Sequence, residues 1–498
     1  MDLSNFRLDA EAFLGKTDKE YYLHFAGKKP DLEIDKIYKE YDYLFSFENV
    51  EKLKTLSLDS KGENQKKNKF LYRFCAEGYL SKKFQSISDK IANDEAEAKI
   101  KVGGKEYSFR YTDILISNEA DKKKREEIED KRRETTEGIF NPNFKLYWES
   151  LHDEALLQGF KSYTELFSHL KEVDFLKLEE QMDMLVEKTT DIYSYNMDKL
   201  FKEKIGISLQ GSRASDFSYI KRAKEFDVFF KKDGLIPIFK DSMNQIGIDV
   251  DKQKNIIMDV EERENKSPRA FCSVVKVPSE IYLVVMPSGG QDDFQAMFHE
   301  GGHAEHFANV SPSLDFEYKY LGDNAITEGF AFCFENMTTD RNWLMYMLKM
   351  DEEAADRFTN FIGLINLFFL RRYAGKLKYE LILHNDKSVS KKEHNYSDIL
   401  TKNLIMQYFP ENYLKDVDEG FYCTNYIRAW MFEAHVKDYI LNKFGSLWFK
   451  NKKAGDFLKE LYSYGQKYSP EKIINELGYK ELDINLLIET TLKLLRLK

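Results

Sequence analysis

The chain has 498 residues, of which 42% are hydrophobic and 32% charged, with 38 Phe and 30 Tyr but only 9 Pro and 4 Cys, and its net charge is −10. That apolar content supports a large buried core, and the scarcity of Pro argues against a turn-rich β architecture. The negative charge excludes a general affinity for phosphate backbones, so nucleic acid is not an expected partner.

The N-terminal MDLSNFRLDAEAF has neither a basic nor an apolar leader-like region, and the four cysteines form no CxxC pair. Both fit a cytoplasmic protein with reduced thiols. Residues 1 to about 100 carry apolar positions at three- and four-residue spacing and read as helices. KIKVGGKEYSF, residues 99–109, alternates around Gly103-Gly104 and reads as a short β-hairpin. Residues 118–138 mix both signs of charge densely, which predicts a solvated helix. Helical periodicity continues through 144–205. The Gly- and Ser-richer stretch 206–219 is a candidate boundary between an N-terminal helical lobe, 1–205, and a second lobe, 206–498. Two neighbouring strands are expected at 271–277 and 281–286, rich in β-branched residues and separated by Pro278-Ser279-Glu280. A helix should begin at Asp292-Asp293. The remainder reads as helices. Its most apolar run, FIGLINLFFL at 361–370, is too short to span a bilayer, so no membrane partner is expected and a core helix is.

On the helix after Asp293 stands His299-Glu300-Gly301-Gly302-His303. Two imidazoles four residues apart lie on one helical face, where both can reach a single metal ion, and the intervening Glu can reach a water on it. Gly301 and Gly302 each cost the helix about 1 kcal/mol relative to Ala, which implies a neighbour needing close approach. A catalytic zinc site requires a third ligand. Position 309 is Asn, which rejects a three-His set. Glu328, 25 residues after His303 in a mostly apolar helix, is the expected third ligand, because an unpaired carboxylate there would be costly. Glu335, two turns further on, is placed to accept the free N–H of a ligand His and set its tautomer.

FHEGGHAEH followed by TEGFAFCFEN resembles the thimet oligopeptidase and oligoendopeptidase F family of zinc peptidases. The likeness is specific over residues 287–337 and weaker from about 145 to 440. It also touches the angiotensin-converting-enzyme-like carboxydipeptidases through Tyr426-Ile427-Arg428. The resemblance implies a mainly α fold with two helical lobes around a deep substrate channel and a small β-sheet beside the HExxH helix. It implies one Zn²⁺ per chain, held by His299, His303 and Glu328, with Glu300 as general base, and short unfolded peptides as substrates. It also implies that the strand containing Ala270, Phe271 and Cys272 lines the channel and pairs with substrate. The family's late loop of a His and several tyrosines is only partly present. Tyr422 and Tyr426 can be matched, a third tyrosine falls on Ala429 or Arg428, and there is no His between His394 and His435. Oxyanion stabilisation is therefore expected from Tyr422, Tyr426 or Arg428. Two alternatives stand beside this reading. One is a C-terminal carboxypeptidase or dipeptidyl carboxypeptidase of the same zinc class, in which Arg428 binds a terminal carboxylate. The other is a peptide-binding protein without turnover. Oligomeric state is not legible.

Overall fold

Helix accounts for most of the computed structural model, which describes residues 2–495. The longest elements are Gly62–Glu97, Phe175–Ile205 and Glu352–Asn385. One hydrophobic core runs through the described chain from Phe6 to Leu495, with Trp148, Trp343 and Trp448 buried in it. The apolar run 361–370 lies inside Glu352–Asn385, which continues well past the two arginines. Arg371 is buried there and donates to the carbonyls of Asn403 and Val186 and to Thr189 Oγ1.

The charge-dense stretch forms the helix Lys122–Thr135, but one of its faces is not solvated. Arg125 and Ile128 are buried, and Arg125 Nη2 donates to buried Asp216 at 2.6 Å. A helix with both charge signs can hide one cation where a neighbouring helix supplies its counter-ion, and Asp216 lies 91 residues away.

Two small sheets interrupt the helices. Strands β1 (Lys99–Val102) and β2 (Lys105–Ser108) pair antiparallel around Gly103-Gly104, both with positive φ. In the second sheet β3 (Ile256–Asp259) runs parallel to β5 (Glu280–Val284), and β4 (Phe271–Lys276) runs antiparallel to it in the order β3–β5–β4. The β4–β5 pair matches the sequence expectation. The four residues of β3 have no counterpart in it, since their pairing partner is fixed by packing rather than by local pattern.

This second sheet is layered between two helices. The N-terminal helix Leu3–Phe25 covers one face, stacking Tyr22 on Tyr282 at 3.8 Å and placing Phe25 against Phe271. The other face, through Cys272, Val274, Ile281 and Leu283, joins the main core beside the helix Gln291–Ala308. That helix starts where the sequence indicates. Asp293 Oδ2 accepts the backbone N–H of Ser288 and Gly289, each at 2.8 Å, which fixes the turn into its first residues.

Candidate metal-dependent active site

Glycines bring three elements together. A Cβ on Gly301 would lie 2.5 Å from the Phe239 ring, and one on Gly302 would lie 2.6 Å from Ala331 Cα. The second contact is with backbone, so the helices Gln291–Ala308 and Asn324–Glu335 can approach this closely only because residue 302 has no side chain. Gly329 does the same against the next helix, Cys423–Phe444. Its Cβ would meet the Phe432 ring at 2.4 Å and the Ala429 carbonyl oxygen at 3.2 Å.

The consequence is a converging triad. His299 Nε2 and His303 Nε2 are 3.2 Å apart, and Glu328 Oε2 lies 3.4 Å from the first and 3.7 Å from the second. These separations match the edges of a tetrahedron whose corners stand about 2.0–2.2 Å from its centre, the ligand distances of a divalent ion such as zinc. The outer nitrogens are both engaged. His299 Nδ1 meets Glu335 Oε2 at 2.8 Å, and His303 Nδ1 meets Thr327 Oγ1 at 2.8 Å. Protonating Nδ1 in each ring satisfies those oxygens and leaves both Nε2 lone pairs facing Glu328. Glu328 Oε2 itself is buried and accepts no hydrogen bond. A buried carboxylate oxygen without a donor is costly unless a cation completes its surroundings, so the donor set fits a metal ion.

Electrostatics around the triad are strongly polarised. Burial pulls the His299 pKa down, but the adjacent Glu328 and Glu335 carboxylates outweigh it and raise the value to about 10. Burial, reinforced by the neighbouring His299 cation, lowers His303 to about 4. Glu328 sits below the usual carboxylate range because the two histidines overcome its burial.

Glu300 projects from the same helix toward β4. Its Oε2 accepts the backbone N–H of Cys272 at 2.8 Å, and burial raises its pKa to about 7. β4 is the outer strand of its sheet. Cys272, paired opposite Leu283, turns its N–H outward to Glu300, so the carboxylate stands at the strand's open edge. Ala270, Phe271 and Cys272 are all partly exposed.

No family model matches the sequence, and no curated protein matches it. Solved structures do match its fold. A Bacillus anthracis str. Ames protein described as an oligoendopeptidase F superposes with a TM-score of 0.67 at 14% identity, over 97% of this chain and 88% of that one. PZ peptidase A, solved with an inhibitor, gives 0.66 at 14% identity, over 97% and 90%. The chain has an oligoendopeptidase-like fold.

The tyrosine loop of this oligoendopeptidase-like chain divides its expected residues. Tyr422 Oη donates to Glu328 Oε1 at 2.8 Å, fixing the carboxylate's rotation. Tyr426 packs 5.3 Å from the Tyr422 ring, and its hydroxyl makes no hydrogen bond among the described residues. Burial and then the Glu328 charge raise the pKa of Tyr426 well above the ordinary phenol value, so it remains a donor. Before these residues the backbone is left-handed at both Gly420 and Phe421. The turn is clamped by Tyr163 Oη, which accepts from Gly420 N at 2.9 Å, and by Glu380 Oε1, which accepts from Asp418 N at 2.9 Å.

Arg428 is not brought into the cluster, contrary to the sequence expectation. Its Nη1 donates to Asp323 Oδ2 at 2.6 Å, and its Nε and Nη2 are bound to Glu471. All three nitrogens are committed to carboxylates, which hold the guanidinium at Asp323 and Glu471 and not at the triad. Asp323 caps the Asn324–Glu335 helix by accepting from Ala325 N at 2.9 Å, so Arg428 instead steadies the start of the helix that carries Glu328. His306, on the same helix as the triad histidines, points away and meets the Gly465 carbonyl at 3.3 Å. Thr327 escaped sequence reasoning. Its only signal was adjacency to Glu328, and a Thr in an apolar helix is normally satisfied by its own backbone.

Proposed function

We propose that this chain is a zinc-dependent metallopeptidase that hydrolyses short unfolded peptides. The observation that supports it most is the convergence of His299 Nε2, His303 Nε2 and the orphaned Glu328 Oε2, with all three ligand atoms within 4.8 Å of one another. The oligoendopeptidase-like fold adds support at the level of architecture.

A divalent ion held by His299, His303 and Glu328 would polarise the scissile carbonyl and acidify the attacking water. Glu300 takes the proton from that water and delivers it to the leaving amine. Its raised pKa suits both halves of the transfer. The substrate backbone lies along the β4 edge at Ala270, Phe271 and Cys272, where strand pairing holds an extended peptide regardless of its side chains. Tyr426 donates to the developing oxyanion, while Tyr422 orients Glu328 and Glu335 sets the His299 tautomer. Residues 1–205 and 206–498 form the two lobes between which the peptide enters. No described helix is long and apolar enough to cross a membrane.

The test uses mixed peptides, metal analysis and two variants. The wild type should bind one zinc per chain and yield cleavage products that a chelator suppresses. Glu300→Gln should keep the metal and lose about 10²-fold or more in turnover, and His299→Ala should lose the metal. Full zinc occupancy in His299→Ala, or undiminished cleavage by Glu300→Gln, would remove the respective assignment. Peptide binding without products from the zinc-loaded wild type would favour a non-catalytic receptor.

A further inference from the structure

A cavity of about 310 Å³ lies behind Glu335, the residue that holds His299 Nδ1. Its walls are the end of the helix Asn324–Glu335, the middle of Glu352–Asn385, one face of Cys423–Phe444 and the helix Ile484–Leu494. Aromatic rings lead from the metal site into it. Phe332 stands edge-on to His299 with ring centres 5.1 Å apart, and Trp430 stands 5.7 Å beyond Phe332. Trp430 follows Tyr426 by one helical turn, their rings 6.2 Å apart, and Tyr373 meets these two at 5.0 and 5.8 Å. Tyr373, Tyr426 and Trp430 are all partly exposed. Among the described residues no Lys or Arg rests over any of these four rings, although such pairs occur elsewhere, as between Lys437 and Trp448 at 4.9 Å.

Four acidic and two basic side chains line the cavity. Three of the acids are engaged locally. Glu335 meets His299, Asp340 caps the helix Arg341–Met347, and Asp438 accepts from Tyr479 Oη at 2.7 Å. The fourth, Glu433, is 7% exposed and is hydrogen-bonded only to the neutral amide of Asn336. Lys437, one turn further along the helix, faces it but lies over Trp448 and forms no ion pair among the described residues, and Lys493 is exposed. Burial raises the Glu433 pKa to about 7, and neighbouring Glu335 adds to the effect, so the ionised form lacks a cation close at hand.

We propose that this cavity receives the basic side chain, arginine or lysine, of a substrate residue beside the scissile bond, its stem along Phe332 and Trp430 and its cation at Glu433. This rests on the peptidase reading above and narrows it to peptides cut next to a basic residue. An apolar stem ending in a cation matches an aromatic wall ending in a carboxylate. It also brings Glu433 the counter-ion that a buried carboxylate otherwise lacks. A purely apolar side chain leaves that carboxylate unmatched, and an acidic one is repelled by the four acids of the lining.

The experiment measures binding first and the cut second. Zinc-loaded Glu300→Gln protein is titrated with an otherwise neutral pentapeptide, blocked at both ends, whose central residue is arginine, citrulline or glutamate, and separately with benzamidine. The arginine peptide should bind at least about tenfold more tightly than the citrulline peptide, which keeps the shape without the charge, and the glutamate peptide should bind least. Adding Glu433→Gln should collapse the arginine-to-citrulline ratio to about one, and Glu433→Asp, which keeps the charge and reports on folding, should preserve most of it. Wild-type protein should cut the arginine peptide at a bond of the arginine itself, read by mass spectrometry. Equal affinities for arginine and citrulline, a ratio unchanged by Glu433→Gln, or cuts away from the arginine would overturn the pocket while leaving the peptidase reading intact. Benzamidine binding that depends on Glu433, without any arginine preference among the peptides, would overturn it in favour of a site for a free cation. If zinc binds but no peptide is bound or cut, the peptidase reading fails and the pocket's role with it.

Discussion

Replacing Gly302 by Ala should disable the metal site while leaving the helix around it intrinsically happier. In an isolated helix this change is worth about 1 kcal/mol in favour of Ala. Here the added methyl would sit 2.6 Å from Ala331 Cα and 3.1 Å from the carbonyl oxygens of Ala331 and Phe330. Non-bonded carbons prefer about 3.5–4.0 Å, and a backbone atom cannot swing aside as a side-chain tip can. The helices Gln291–Ala308 and Asn324–Glu335 must therefore part by about 1 Å at this point, at an overpacking cost of about 1–3 kcal/mol. Glu328 lies one helical turn from Ala331, and its Oε2 already stands 3.4 and 3.7 Å from the two Nε2 atoms. Metal–ligand distances tolerate only about ±0.2 Å, so a shift of this size removes the carboxylate from the set. Zinc affinity should fall by more than about 100-fold, since perturbing even an outer partner of a ligand costs 10–100-fold. Competition against a chromogenic chelator measures it, with circular dichroism as the check on folding. Gly138→Ala is the control, because a Cβ there meets nothing within 4 Å. A Gly302→Ala protein that folds and holds zinc with wild-type affinity would refute the claim that this glycine sets the ligand geometry.

Four further outcomes follow from the same structure. Burial raises Asp18, Glu300, Glu305, Glu380 and Glu433 to about 7, and two flanking carboxylates raise His299 to about 10 despite its burial. Each folded value exceeds its unfolded one, so these groups stabilise the fold below their unfolded pKa and that contribution drains away as pH rises through the folded pKa. The depressed His303 and His306 act in the opposite sense only below about pH 6.5. The carboxylates have lost that contribution by about pH 7, so among these groups it is His299 that carries the Tm of metal-free protein down between about pH 7 and about pH 9; a rise, read by calorimetry, would contradict it. Zinc binding near neutral pH should release about one proton, from His299, measurable as a dependence of the binding enthalpy on buffer ionisation. Tyr422→Phe and Tyr426→Phe should separate: the first weakens zinc about 10–100-fold through Glu328, whereas the second keeps zinc and lowers kcat by about 10²–10³-fold. Equal effects on both quantities in both variants would show that the two phenols are not divided as assigned. Arg428→Met should destabilise by about 3 kcal/mol because it strands Asp323, whose side chain is only 18% exposed, and a Tm within error of wild type would exclude that pairing.

Much of the site was readable in the chain because helical spacing is local. A step of four residues from His299 to His303 puts both rings on one face, and a step of seven from Glu328 to Glu335 puts both carboxylates on another. Those facts hold wherever the helices pack. The β4–β5 pair was legible for the same reason, through its β-branched residues and the short break between the strands. Strand β3 was not, since four residues acquire strand character only when β5 lies alongside.

Charge was the least legible property. Arg125 looked solvated and Arg428 looked available because a sequence lists cations without their partners. Asp216 and Asp323, 91 and 105 residues distant, decide both cases.

From its sequence alone, then, this protein's helical character, the candidate ligand types and their spacing within each helix were determined, because backbone periodicity dictates them over a few residues. Tertiary structure decided the distances between elements: how near Gly302 lets Glu328 come, which phenol turns the carboxylate and which remains free, and which carboxylates claim Arg125 and Arg428. Those depend on contacts between segments remote along the chain, where a missing methyl group or a counter-ion shifts an approach by an ångström.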